Sequence, residues 1–228
     1  MLEPLTDLVP LGGPPDDPLA RPEIDLEGSP LLEQEEVMMH SGHYPVGITA
    51  FQRKQNKFTT VLKASKNAQV ILTTRRVIVT WPHWKSDKAF GGVIERRVYS
   101  AVLERDKGKL LLAAHIRHAW ILSVSVGNPQ GLLIKTNYVS IRIREGRETY
   151  SLVIKKIDPS ITEQLVQEFV AELATVRLEQ KKTFEGSEKE DLSALAEDTA
   201  TPDRFDWGYS YKIPGNVPFG QSFLSASA

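Results

Sequence analysis

The chain has 228 residues, a formal net charge of −1 and no cysteine. This length allows one domain of about 120 to 150 residues with tails, large enough to fold without disulfides. The lack of cysteine excludes a disulfide scaffold, a thiolate zinc site and a cysteine nucleophile. No apolar run approaches the roughly 18 residues of a membrane-spanning helix, and the acidic, proline-rich start is unlike a signal peptide. We therefore expect a soluble, cytoplasmic protein.

The small net charge hides a strong segregation of charge along the chain. Residues 1–40 carry one basic and ten acidic residues, residues 41–157 carry 21 basic and six acidic residues, and residues 158–228 carry six basic and 13 acidic residues. A basic body between acidic arms predicts a cationic surface for phosphates, with the arms as competitors or solubilisers. A second interpretation stays open: the strand lysines and arginines are merely solvated, and the tails collect acids.

Residues 1–30 contain seven of the 14 prolines and few aromatic residues. Such a composition cannot bury enough surface to offset its ordering entropy, so we predict a disordered or loosely docked acidic arm. After residue 31, β-forming runs follow at 46–51 and 58–64. The longest of them, QVILTTRRVIVTWPHW at 69–84, predicts one central strand.

The second half of the basic body also reads as strands. Runs at 96–105 and 109–117 flank Asp106-Lys107-Gly108, which predicts a hairpin. Further strands are predicted at 119–127, 132–136, 138–145 and 149–156. In the strand at 138–145 apolar and polar residues alternate, which predicts one buried and one solvated face.

A helix of about 24 residues is predicted after the last of these strands. Asp158 is a preferred N-cap and Pro159 a preferred first helical residue. The apolar stripe that should pack on the sheet comprises Ile161, Leu165, Val166, Phe169, Val170, Leu173 and Val176. Residues 183–228 then form an acidic linker, with a short helix possible at 187–196, and an aromatic C-terminal tail. The tail either packs back on the domain or docks on a partner.

Strands closed by one long C-terminal helix are the order of elements in pleckstrin-homology-like (PH-like) domains. The segment Leu72-Thr73-Thr74-Arg75-Arg76-Val77-Ile78 resembles the L-T-x-x-R-L-I strand of the GRAM and bacterial PH-like families, and Glu36-Val37 resembles their preceding acidic segment. The resemblance covers residues 31–182. It implies a mostly β (α+β) fold, a PH-like β-sandwich or partly open barrel capped by an amphipathic helix and flanked by acidic flexible tails. It also implies binding of a phospholipid head group or a protein, and a structural role for Arg76.

Candidate binding residues come from the charge pattern and the aromatic residues. Loops between early strands can gather cations at one end of the domain, which makes the phosphate-binding candidates Arg53, Lys54, Lys57, Lys63, Lys66, Lys85 and Lys88. The interaction candidates are Trp81, Trp84, Phe205, Trp207, Tyr209 and Tyr211. The tryptophans suit either an exposed wedge or packing over a sheet edge.

No pattern in the sequence indicates catalysis, a cofactor or a metal. The two H-x-x-H pairs lack the further ligands that zinc needs, and no nucleophile elbow, P-loop or dinucleotide fingerprint is present. We therefore expect a non-catalytic module that binds protein or anionic lipid through a basic surface. Binding to lipid would place the protein at the periphery of a membrane. The alternatives are a nucleic-acid-associated protein using the same surface and an assembly subunit docking through its aromatic tail. The oligomeric state stays open.

Overall fold

The computed structural model describes residues 29–52, 57–84, 101–105, 109–128, 136–145 and 148–217. The strands and α-helices in chain order are β1 Met38–Gln52, β2 Lys57–Thr73, β3 Arg76–Trp84, β4 Ala101–Arg105, β5 Lys109–Arg117, β6 Ile121–Gly127, β7 Asn137–Glu145, β8 Glu148–Ile157, α1 Pro159–Gln180, α2 Glu188–Ala196, β9 Asp203–Phe205 and β10 Gly208–Lys212, with a 3-10 turn at His118–Trp120 between β5 and β6. The predicted architecture, mostly β with one long helix after the strands of the body, is confirmed. The chain divides into two compact units, residues 1–43 with 65–117 and residues 44–64 with 118–228.

The first unit is built on an antiparallel sheet with the strand order β4, β5, β3, β2. The predicted hairpin is confirmed, because β4 and β5 pair antiparallel from Ala101 opposite Ala113 to Arg105 opposite Lys109. Apolar residues from both faces of the β2–β3 pair are buried, namely Val70, Ile71, Leu72, Val77, Ile78 and Val79. Near-continuous apolar runs of this kind are typical of strands covered on both sides.

The run at 69–84 is not the single central strand that its composition predicted. It is a hairpin that turns between the end of β2 at Thr73 and the start of β3 at Arg76. The hydroxyl of Thr73 accepts hydrogen bonds from the backbone N–H of Arg75 at 3.2 Å and of Arg76 at 2.9 Å. A threonine side chain can close a turn in this way without glycine or proline. The turn therefore forms at Thr74 and Arg75 although neither is a typical turn residue.

The second unit carries an antiparallel sheet with the strand order β1, β8, β7, β6, β10, β9. The alternation predicted for 138–145 is confirmed in β7, where Val139, Ile141 and Ile143 are buried while Arg142 and Arg144 are exposed. The buried side chains form one apolar face of this sheet. The opposite face is mostly polar, with Ser140, Arg142 and Arg144 on β7, and includes Val153 on β8.

Helix α1 begins as predicted and ends slightly earlier, at Gln180. The Asp158 carboxylate caps it by accepting a 2.9 Å hydrogen bond from the N–H of Ser160. Most of the predicted stripe is buried, but Ile161 is exposed and Arg177, which was not predicted, is buried. The predicted second helix is present as α2. Neither described helix is both long and apolar enough to cross a membrane.

Candidate functional site

The side chains of the predicted phosphate-binding residues and of the two strand tryptophans lie outside the described part of the structure. Arg53, Lys54, Lys85 and Lys88 lie outside the described residues. Lys57, Lys63 and Lys66 belong to β2, and Trp81 and Trp84 to β3, but their side chains lie outside the described part of the structure. The phosphate site formed by these cations therefore stays a prediction, as does the role of the two tryptophans.

Arg76 has the structural role that the resemblance implied. Its guanidinium is buried in the first unit and bonds the Glu36 carboxylate, with Nε to Oε1 at 2.9 Å and Nη2 to Oε2 at 2.9 Å. It also donates to the carbonyl of Leu31 at 2.8 Å, and its Nη1 lies 3.0 Å from His115 Nδ1. A buried charge with this many partners is a fixed part of the fold rather than a ligand contact.

Glu33 joins the same network and reduces the free positive charge of the first unit. Its carboxylate lies 2.5 Å from Arg117 Nη2, 3.4 Å from Arg76 Nη1 and 3.9 Å from Arg75 Nη1. Burial acts to raise the pKa of Glu33, but the three arginines, led by Arg117, outweigh it and hold that pKa below its usual value. The short acidic segment 33–36 thus neutralises arginines that would otherwise attract anions.

A cationic surface that the sequence analysis did not single out lies on the polar face of the second unit's sheet. We call Arg142, Arg144 and Lys155 the cationic face. Arg142 and Arg144 are two residues apart in β7, so their side chains point to the same face and their Cα atoms are about 7 Å apart. Lys155 of β8 is directly opposite Tyr138, which lies on the same side of β7 as the two arginines. All three cations are exposed. Among the described side chains no carboxylate forms an ion pair with any of them.

The four aromatic tail candidates lie together on the hairpin at 203–212, which we call the aromatic hairpin. Its strand β10 pairs with β6, and the N–H of Asn128 donates to the Trp207 carbonyl at 2.7 Å. Phe205 and Trp207 are exposed at 43% and 55%. Tyr209 and Tyr211 instead stack edge to face with their ring centroids 5.9 Å apart, and burial raises the pKa of Tyr209 to about 12. The hairpin is therefore anchored in cis while its tip presents two uncovered rings.

One buried cation holds the C-terminal segment in the second unit, and the sequence analysis missed it. Arg177 of α1 donates to four backbone carbonyls, those of His118, Ile121, Ile213 and Pro214. Burial lowers the pKa of Arg177 to about 9, although the Glu188 carboxylate acts in the opposite direction. Its position four residues after Leu173, in line with the apolar stripe, was the signal available in the sequence.

Comparison with known proteins does not assign the chain to a family. No protein-family model and no curated protein matches the chain. Among solved structures it is similar to the Vps36 N-terminal PH domain, with a TM-score of 0.38 and 14% identity over 68% of this chain and 92% of that chain. A similarity at this level decides neither fold nor function. The GRAM and bacterial PH-like resemblance therefore stays a prediction.

Proposed function

We propose that the chain is a non-catalytic, PH-like binding module whose cationic face binds the phosphate groups of anionic lipids. The observation that carries the proposal is the exposure of Arg142, Arg144 and Lys155 on one side of β7 and β8. The order of elements, strands followed by the long helix α1, supports a PH-like module of this kind. The loop cations predicted from the sequence would add to the same attraction.

The expected strength follows from the number of free cations. Each basic residue close to an anionic membrane surface contributes about 1 kcal/mol, so three contribute about 3 kcal/mol, or roughly a hundredfold in affinity. Screening shortens the range of this attraction to about 8 Å at physiological ionic strength. Binding should therefore be moderate and should weaken as salt is added.

The test is sedimentation of the full chain with liposomes that contain either phosphatidylserine or phosphatidylcholine alone. Arg142→Glu with Arg144→Glu should abolish binding to phosphatidylserine liposomes. The matched control is Lys182→Glu with Lys189→Glu, which changes the net charge equally at an exposed position after α1 and an exposed position in α2. This control should bind like the wild type. Equal losses in both double variants would show that only net charge matters, and the proposal would then be wrong. Lys54→Glu with Lys57→Glu tests the loop group separately, and competition by RNA tests the nucleic-acid alternative.

The aromatic hairpin favours a second candidate function, the docking of a protein partner. An exposed tryptophan on a hairpin whose backbone is hydrogen-bonded to the sheet is the kind of residue that dominates binding at protein interfaces, and Asp206 beside it disfavours insertion into an anionic membrane. Photo-crosslinking from position 205 in cells should then yield one discrete adduct, whereas position 189 on α2 should yield none. With the purified partner, Trp207→Ala should weaken affinity about 30-fold. Identical adducts from both positions would exclude this function.

A further inference from the structure

A groove of about 580 Å³ lies within the second unit, between helix α2 and strand β10. Its apolar lining is formed by Leu122, Ala194, Leu195, Ala200, Ile213 and Pro214. Polar groups surround this lining, including Asp191, Thr201, Ser210 and the Asp203–Lys212 ion pair at 2.8 Å. The groove is large enough for several side chains, and an apolar lining with few polar groups is typical of a binding groove.

The walls of the groove are fixed by charged contacts at their ends. Lys181 after α1 bonds Glu188 at the start of α2 at 2.6 Å, and Arg177 donates to the carbonyl of Pro214 in the opposite wall at 2.5 Å. The Glu188 carboxylate also lies beside Gly215, in the segment after β10. A groove held open in this way binds a ligand without first having to form.

We propose that residues 218–228 of this chain occupy the groove. Their sequence, PFGQSFLSASA, contains no charged residue and places Phe219, Phe223 and Leu224 among small polar residues. Apolar side chains suit the lining, and serine and backbone groups suit the polar surround. The N-terminal residues 1–28, which also lie outside the described ranges, carry seven acidic residues. Asp191 and Asp203 would repel such a segment.

The lengths of chain involved allow this placement. Pro214 lines the groove and is three residues from Val217, the last described residue, so the two Cα atoms are at most about 11 Å apart. Phe223 is six residues beyond Val217 and can reach about 20 Å. It can therefore return into the groove from the point where Val217 is fixed by its N–H bond to the Ala119 carbonyl.

The test uses the absence of cysteine, which allows a single thiol to report on the groove. In the full chain, Ala194→Cys places a thiol in the lining, and its rate of reaction with a bulky maleimide measures how often the groove is uncovered. A short tether gives a millimolar effective concentration, so even docking with an intrinsic Kd of about 0.1 mM should slow the reaction about tenfold. Adding Phe223→Ala with Leu224→Ala should restore the fast rate. Glu190→Cys, an exposed position on the same helix, should react fast with either tail.

Two results would overturn the proposal. Equal rates for the Ala194→Cys thiol with the wild-type tail and with the Phe223→Ala, Leu224→Ala tail would show that the tail does not cover the groove. Protection that falls as the protein is diluted would assign the covering segment to a second copy of the chain. Far-ultraviolet circular dichroism of each variant confirms that α1 and α2 are formed, so that a fast rate cannot come from unfolding. Neither result depends on lipid binding.

Discussion

Replacing Arg177 by methionine should strongly destabilise the second unit. Methionine keeps an unbranched apolar stem but removes the guanidinium that donates to four backbone carbonyl groups, three of them in buried contacts. Hydrogen bonds to a charged group contribute about 1.5 to 3 kcal/mol each, or about 6 to 12 kcal/mol for four. Against this, a charged form held at a pKa of about 9 instead of 12.5 costs about 5 kcal/mol at 1.36 kcal/mol per pH unit. The expected net loss of unfolding free energy is about 4 kcal/mol.

Urea denaturation followed by the helical circular dichroism signal measures this loss, because both described helices belong to the second unit. With a slope near 2 kcal/mol per molar urea, the midpoint should fall by about 2 M without a change in slope. The matched control is Arg204→Met, since Arg204 is exposed in β9 and the change there should be nearly neutral.

Buried ion pairs can sometimes be replaced by apolar residues without loss, which makes the outcome informative. If Arg177→Met unfolds within about 1 kcal/mol of the wild type, then desolvation of the guanidinium cancels its hydrogen bonds. Arg177 would then not be what attaches the C-terminal segment to α1. A loss that appears equally in Arg204→Met would likewise contradict the reasoning, because it would report a general effect of removing arginine.

Three further predictions concern single contacts. Glu36→Gln should reduce protection of the β3 amides against hydrogen exchange by about 3 to 5 kcal/mol, because it leaves the Arg76 charge buried and poorly paired. The control is Glu35→Gln, which alters an exposed ion pair with Arg75 and should change the protection little. Equal effects of the two changes would refute the structural role given to the Glu36–Arg76 pair. Gly208→Ala should detach the aromatic hairpin and raise the proteolysis rate near residue 208, because the added Cβ would overlap the Val126 carbonyl oxygen; an unchanged rate would contradict this. Because folding lowers the pKa of Glu33 below 4.5, its contribution to stability is complete above pH 4.5 and is lost as the pH falls through the folded-state pKa. Glu33→Gln should therefore flatten the acid limb of the first unit's stability curve, and an identical limb in both proteins would count against the network.

The sequence by itself determined several of the local elements. Alternation in 138–145 requires a strand with one apolar face, and the Asp158–Pro159 pair requires a helix start, because each depends only on neighbouring residues. The β4–β5 hairpin follows equally from two β-rich runs around a short glycine-containing turn. The segregation of charge is also a property of composition alone.

Contacts between distant residues decided the rest. The turn at Thr74–Arg75 interrupts a run rich in strand-forming residues, because the Thr73 hydroxyl closes it and Glu36, 37 residues earlier, bonds that hydroxyl at 2.5 Å. In the sequence Arg177 is one more polar helix residue, and its role depends on carbonyls from two separate segments, 118–121 and 213–214, that meet at its guanidinium. The cationic face required β7 and β8 to lie side by side in one register. Propensity and periodicity describe what a segment prefers locally, whereas burial and pairing across tens of residues fix which charges are neutralised and which remain exposed.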